Sequence, residues 1–178
     1  MQLVPTLLTH LAYLNPIPLA GWLVWLGLAG LLGVALFNWR KYQIEWNARA
    51  TWTLAALAAL TIAAALVLGV RFPSAMPAPG RPEESAGSTM MIFSAVPWTL
   101  AGGLLGPVGA AALGLLSGLV RGVWDTHSLF TALDFGLMGV IFAVASRQRY
   151  RTFLYRLWRQ PLVSALSLTF VHLLIFVL

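Results

Sequence analysis

The chain has 178 residues, of which 60% are hydrophobic and 9% are charged, whereas soluble domains average roughly 45–50% apolar and about 25% charged residues. This composition excludes an ordinary soluble domain. The formal net charge of +6 lies in short connectors without a nucleic-acid-reading motif, so no nucleic-acid partner is expected, and the absence of cysteine excludes disulfides and thiolate chemistry.

Long apolar runs recur along the chain, and the strict alternation of apolar and polar residues that is typical of membrane barrels is absent. Because about 20 apolar residues cross a bilayer as one helix, the pattern predicts an all-α, polytopic integral membrane protein. We expect a single transmembrane domain of about six helices, joined by interfacial amphipathic connectors. The predicted spans are residues 17–37, 52–70, 90–105, 108–123, 129–145 and 161–178.

The first span and the connector after it carry two local patterns. Lys41, Glu45 and Arg49 follow one another at i, i+4 spacing with aromatic residues between them, so the connector is predicted to be an interfacial helical turn. The glycines of the first span are predicted to let a neighbouring helix approach closely. These glycines are Gly21, Gly27, Gly30 and Gly33.

The second connector and the third span contain most of the helix-breaking residues. Residues 71–89 are rich in proline and glycine and are predicted to be a loop. The third span contains Pro97 and the pair Gly102–Gly103, so it is expected to be kinked or short.

The fourth span has a small residue at every fourth position. Such a face lets two helices make backbone contact, where dispersion replaces the hydrophobic driving force that is missing in lipid. We therefore predict close packing against a neighbouring helix, with a homodimer through the glycine face as one possible form. The small residues are Gly106, Ala110, Gly114, Gly118 and Gly122.

An acidic residue inside the fifth span, Asp134, marks the candidate functional site. A carboxylate at the centre of a membrane helix costs about 2.5–3.5 kcal/mol and usually faces the bundle interior or a water-filled cavity. Arg121 near the end of the preceding span is its natural partner, and the alternatives are a structural Arg121–Asp134 pair or a site for a ligand, an ion or a proton. The candidate ligand-binding residues are Arg121, Trp124, Asp125, His127, Thr131 and Asp134.

The polar turn WDTHS between these two spans has other interpretations. Asp125 or Ser128 could cap the fifth span. Asp125 and His127 could share a metal ion, but a stable site needs three or four ligands, and the chain has three histidines, no cysteine and few carboxylates. Adjacent residues in one turn also do not arrange a catalytic triad. No metal, cofactor, catalytic residue or enzymatic activity is therefore expected of this chain.

The segment after the fifth span has apolar residues at helical spacing on one side and arginines around the other. This amphipathic pattern predicts a helix that lies on the anionic inner leaflet of the bilayer. The membrane-surface residues are Arg147, Arg149, Arg151, Arg156 and Arg159.

The distribution of basic residues predicts the orientation. The first, third and fifth connectors together carry eight Lys and Arg residues, and the second and fourth carry three. The positive-inside rule therefore places the first set in the cytoplasm and the N-terminus outside, in a bacterial inner membrane. The WDTHS turn then faces outside. Because the last span reaches Leu178 without a polar flank, we expect the chain to be the N-terminal fragment of a longer protein.

The stretch GGLLGPVGAAALGLLSGLVRGVWDTHSLFTALDFG resembles the membrane input regions of bacterial multi-span sensor proteins, the LytS-type sensor histidine kinases and related GAF-domain kinases. The similarity covers about residues 90–163. It implies a sensory module that detects a ligand or a membrane state near the outer end of the 108–145 hairpin, with any kinase or other output domain outside this chain. The matching residues are Gly106, Pro107, Gly114, Gly118, Arg121, Phe130 and Thr131.

Two other functions stay open. The chain is also similar in size and span number to the substrate-binding S-components of energy-coupling-factor transporters, some of which share a Gly-Pro-x-x-Gly hairpin. That likeness would imply a small-molecule-binding transporter subunit, although the predicted outer N-terminus argues against it. The glycine faces alone are typical of a structural membrane subunit.

Overall fold

A computed structural model describes residues 19–67, 70–71, 89–90, 93–126, 128–148, 153–160, 163–164, 166–167 and 170. These residues are helical apart from short turns and connectors and one pair of two-residue strands. The helices are α1 (Leu19–Asn38), α2 (Ala48–Val67), α3 (Val96–Leu104), α4 (Pro107–Arg121), α5 (Phe130–Arg147) and α6 (Phe153–Trp158). The strands β1 (Val70–Arg71) and β2 (Thr89–Met90) pair in antiparallel register.

Three helices are long and apolar enough to cross a membrane, namely Leu19–Asn38, Ala48–Leu66 and Phe130–Arg147. The prediction of an all-α fold with membrane-spanning helices is confirmed to this extent, and the count of six spans stays a prediction. The α3 helix, with 9 residues, rises only about 14 Å against a hydrocarbon core of roughly 30 Å. The predicted span 161–178 lies largely outside the described residues.

The connector between α1 and α2 differs from its predicted form. It contains a short 3₁₀ turn over Arg40–Tyr42, and residues 43–47 are not helical. The prediction that Lys41, Glu45 and Arg49 follow one another along one helix is therefore wrong. The physical reason is Asn47, whose Oδ1 accepts a hydrogen bond from the backbone N–H of Ala50 at 2.9 Å, so that α2 begins at this cap.

The third predicted span also begins later than expected. Met90 belongs to β2, and α3 starts six residues further on, with Pro97 in its first turn, where the missing N–H of proline has no helical partner to lose. Between α3 and α4, Gly106 has a φ of 91°, which favours glycine and turns the chain sharply. The expectation of a short helix here agrees with the 9 residues of α3.

The core of the described bundle lies around α4 and α5. On one side α2 and α3 pack against this pair, with Trp98, Leu113 and Phe142 in a shared cluster. On the other side Leu32 of α1 packs with Val140 of α5. The pair α4–α5 is therefore the element that every other long helix contacts.

The α1 helix lies at the edge of this bundle and buries one residue, Leu32, among the described residues. A Cβ atom built on Gly27, Gly30 or Gly33 would meet no described atom within 4 Å. No helix among the described residues covers these three glycines, so close approach of a neighbour at the glycines of α1 stays a prediction. Among the described residues, the small residues of α4 are covered by a neighbouring helix, whereas these glycines of α1 are not.

Two hydrogen bonds fix the relative direction of α1 and α5. Trp25 of α1 donates from Nε1 to the carbonyl oxygen of Leu129, just before α5, at 3.3 Å, and Arg147 at the end of α5 donates to the carbonyl oxygen of Tyr42, just after α1. The helices α1 and α5 are therefore parallel. We name the end with Tyr42 and Arg147 the basic end, and the end with Leu129 the turn end.

Candidate functional site

The small-residue face of α4 packs directly on the backbone of α5. A Cβ atom on Gly118 would collide with the carbonyl oxygen of Thr131, and one on Gly114 with that of Phe135. The contact continues to the basic end, where a Cβ atom on Gly139 would lie 2.6 Å from the carbonyl oxygen of Ala110. The two helices therefore touch along most of their length, and no side chain larger than hydrogen fits at Gly114 or Gly118 without a backbone shift.

The α4 helix does not end in a loop at the turn end but continues as a π-helical turn over Gly122–Thr126. Such turns are rare and frequently occur at functional sites. Trp124 and Asp125 belong to this turn; their side chains, like the whole of His127, lie outside what the structure describes. A Cβ atom on Gly122 would lie 2.8 Å from the carbonyl oxygen of Ser128, so the turn folds closely back toward α5.

Hydroxyl groups close this turn against the start of α5. The Oγ1 atoms of Thr126 and Thr131 are 2.7 Å apart and share a hydrogen bond. Ser128 Oγ accepts from the backbone N–H of Phe130 at 3.3 Å, while Leu129, the N-cap position, makes no side-chain cap bond. Ser128 thus provides part of the predicted capping, and Thr131 is tied to the π-helical turn.

Arg121 is the last residue of α4 and is half-buried. Its guanidinium carbon lies 5.6 Å from the centroid of the Phe135 ring, within the range of a cation–π contact. Phe135 directly follows Asp134, which is also half-buried. Arg121 thus contacts the residue that follows Asp134 on the facing helix, and a direct Arg121–Asp134 ion pair stays a prediction.

Trp98 of α3 is a member of this region that the sequence analysis missed. It is 5% exposed, its ring centroid lies 6.5 Å from that of Phe135, and it meets Phe142 edge-on at 6.4 Å. Its Nε1 is buried and finds no hydrogen-bond partner among the described residues. The signal available was the position of this tryptophan inside an apolar run, whereas interfacial tryptophans flank such runs.

The described residues at the turn end include few acidic groups. No group of three His, Asp or Glu side chains in the described ranges is placed to hold a metal ion. The described polar groups of this region include the half-buried guanidinium of Arg121 and the hydroxyl pair of Thr126 and Thr131. These groups can bind an anion or a small polar molecule.

Three of the five predicted membrane-surface arginines lie within the described residues. Arg156 and Arg159 are exposed on or just after α6, and Arg149 and Arg151 lie outside the described residues. The guanidinium of Arg147 donates to the Tyr42 carbonyl and would lie 2.6 Å from a Cβ atom on Gly106. Arg147 therefore joins helices within the bundle as well as adding charge to its end.

The chain was compared with known proteins at the levels of sequence and structure. A scan against protein-family models and searches of curated proteins and of solved structures found no match.

Proposed function

We propose that this chain is the membrane-embedded input module of a bacterial signalling protein, in which the α4–α5 hairpin receives a signal at the turn end and passes it to the basic end. The proposal includes the six-span topology, with the N-terminus outside and the turn end facing outward across the inner membrane. Any output domain belongs to a part of the protein beyond this chain.

The observation that carries the proposal is the half-buried Arg121 beside a π-helical turn. A guanidinium with part of its hydration removed attracts a carboxylate or a phosphate more strongly than a fully solvated one. Phe135 holds the planar group by its ring face. We infer that the signal is a small anion that binds Arg121.

The backbone contact between α4 and α5 supports transmission over the length of the hairpin. Because Gly118 and Gly114 leave no gap between the helices, a shift of α5 at Thr131 is carried along the helix and not absorbed by side chains. At the basic end α5 finishes at Arg147, which donates to the Tyr42 carbonyl. A shift of α5 by about 1–2 Å, typical of signalling helices, would break that hydrogen bond.

Thermal unfolding of the full chain in lipid nanodiscs tests this function. The probes are citrate, succinate, inorganic phosphate and glycerol phosphate. Each is added in increasing concentration to the wild-type protein, to Arg121→Gln and to the matched control Arg49→Gln. Arg49 is exposed on α2 at the opposite end. At about 100 times its Kd a bound anion stabilises the protein by about 2.7 kcal/mol. We expect this in wild type and Arg49→Gln and its loss in Arg121→Gln.

Two results would contradict the proposed function. One is that none of the four anions raises the melting temperature of the wild-type protein. The other is that an anion raises it equally in Arg121→Gln, because binding would then not involve this guanidinium.

A further inference from the structure

A cavity of about 250 Å³ lies at the basic end, between the α1–α2 connector, α5 and α6. This volume is below the roughly 300–1,000 Å³ of pockets that enclose a whole drug-sized ligand. The cavity therefore fits one part of a larger molecule, the remainder of which lies outside it.

The cavity is lined by aromatic and aliphatic side chains. The aromatic ones are Trp39, Tyr42 and Trp158, and the aliphatic ones include Ile141 and Val144 of α5. Trp and Tyr are the residues that concentrate at the headgroup level of a bilayer. The cavity lies where α1 and α5 end, and both are long and apolar enough to cross a membrane. Its depth in the bilayer is therefore that of the headgroups and the glycerol backbone.

One side of the cavity opens along the outer face of α5. Ile141 lines the cavity and is 44% exposed, so an apolar occupant can continue past it toward the centre of the bilayer. Lys41 also lines the cavity and is an exposed cation whose ammonium lies 5.2 Å from the Tyr42 ring centroid. The cavity thus has an apolar exit and a positively charged rim.

The net positive charge of the basic end favours an occupant with a negative charge. Its described carboxylate is Glu45, and its described cations outnumber it severalfold. These cations are Arg40, Lys41, Arg49, Arg147, Arg156 and Arg159. A zwitterionic headgroup gains little from such a field, whereas a net negative one is attracted.

Contacts within the protein hold the walls of the cavity. Arg147 donates to the carbonyl oxygen of Tyr42, which holds the connector against α5, and Gln148, which lines the cavity, is 4% exposed. Its walls therefore need little ordering when an occupant binds, which removes an entropic cost of association.

We propose that this cavity is a binding site for one anionic glycerophospholipid. The lipid phosphate binds Lys41, the glycerol and the first carbons of an acyl chain lie between the three aromatic side chains and α5, and the rest of that chain follows Ile141 into the bilayer. The site is at the opposite end of the bundle from Arg121, so it stands whether or not Arg121 binds an anion.

Native mass spectrometry of the detergent-purified full chain tests this proposal, with dioleoylphosphatidylglycerol and dioleoylphosphatidylcholine added at equal concentration. We expect wild type to retain one phosphatidylglycerol in preference to phosphatidylcholine. Lys41→Gln is expected to lower that occupancy ratio about fivefold, the usual effect of one basic residue near an anionic membrane surface. Arg49→Gln removes the same charge from the same end without touching the cavity and is expected to change the ratio less than about twofold.

Two further variants leave every charge in place. Ala145→Leu fills the cavity from α5, and Trp158→Ala removes an aromatic lining residue that is 47% exposed, so this change is expected to leave the fold intact. Both are expected to lose the retained phosphatidylglycerol while circular dichroism shows unchanged helix content. Equal losses in Lys41→Gln and Arg49→Gln, or unchanged retention in Trp158→Ala, would overturn the proposal, because binding would then be diffuse attraction to a basic surface.

Discussion

Gln43 Nε2 donates a hydrogen bond to the carbonyl oxygen of Leu105 at 2.9 Å, between residues 62 positions apart in the chain. The same side chain accepts from the backbone N–H of Val108 through Oε1 at 3.1 Å. Leu105 and Val108 flank the break between α3 and α4, where Gly106 has a positive φ. One amide side chain therefore satisfies a carbonyl left free at the end of α3 and an N–H left free at the start of α4.

The first prediction concerns this amide. Gln43→Leu keeps the approximate shape of the side chain and removes both hydrogen bonds, so the part-buried carbonyl of Leu105 and the exposed N–H of Val108 lose this partner. We expect the free energy of unfolding to fall by about 1–3 kcal/mol. Sodium dodecyl sulfate titration of the protein in mixed micelles, followed by circular dichroism, measures it. Glu45→Gln, an exposed change in the same connector, is the control and is expected to stay within about 0.5 kcal/mol. Equal stability of both variants would contradict the prediction.

The second prediction compares two glycines of the α3–α5 region. A Cβ atom on Gly118 would collide with the backbone of Thr131 and Ala132, whereas one on Gly103 meets no described atom within 4 Å. Gly118→Ala is therefore expected to destabilise the protein by about 1–3 kcal/mol through overpacking. Gly103→Ala is expected to stabilise it by about 0.5–1 kcal/mol, because alanine favours the helix. The same micelle titration measures both, and a stabilising Gly118→Ala would show that α4 and α5 are not in backbone contact.

The small-residue pattern on α4 shows what the sequence can and cannot predict. Its fourfold spacing identified a face made for close packing, and the structure puts α5 against it at Gly114 and Gly118. The glycines of α1, such as Gly27 and Gly30, suggested the same outcome, but the described chain leaves them open. Small residues permit close approach without specifying a partner, so only the tertiary arrangement decides which face is covered.

Most of the features that the sequence did not predict depend on contacts between residues far apart in the chain. Gln43 looked like one polar residue in a connector, because nothing near it in the sequence points to the α3–α4 break. The predicted helix through Lys41, Glu45 and Arg49 does not form, because α2 begins after the cap at Asn47. Around the candidate site the charged residue Arg121 was found from its rarity in an apolar region, whereas Phe135 and Trp98 are apolar residues that the pattern could not separate from ordinary core.

The third prediction uses the buried indole of Trp98. Because its Nε1 has no acceptor among the described residues, Trp98→Phe removes a donor that contributes no hydrogen bond there. We expect the free energy of unfolding to change by less than about 1 kcal/mol, while Trp98→Ala costs about 3–5 kcal/mol by opening a cavity. If Trp98→Phe costs more than about 2 kcal/mol, the indole N–H has an acceptor in the protein as purified, such as a bound molecule in the bundle.

The last prediction concerns orientation and uses the fact that the chain contains no cysteine. Thr126→Cys places a single thiol on an exposed residue of the π-helical turn, and Glu45→Cys places one on an exposed residue of the α1–α2 connector at the basic end. From the charge pattern we expect a membrane-impermeant maleimide to label Thr126→Cys in spheroplasts prepared from intact cells and to label Glu45→Cys only after lysis. In the proposed topology the bilayer separates the two ends, so the two thiols serve as controls for each other. Labelling of Glu45→Cys alone in intact spheroplasts would invert the predicted topology and place Arg121 on the cytoplasmic side, where an external anion does not reach it.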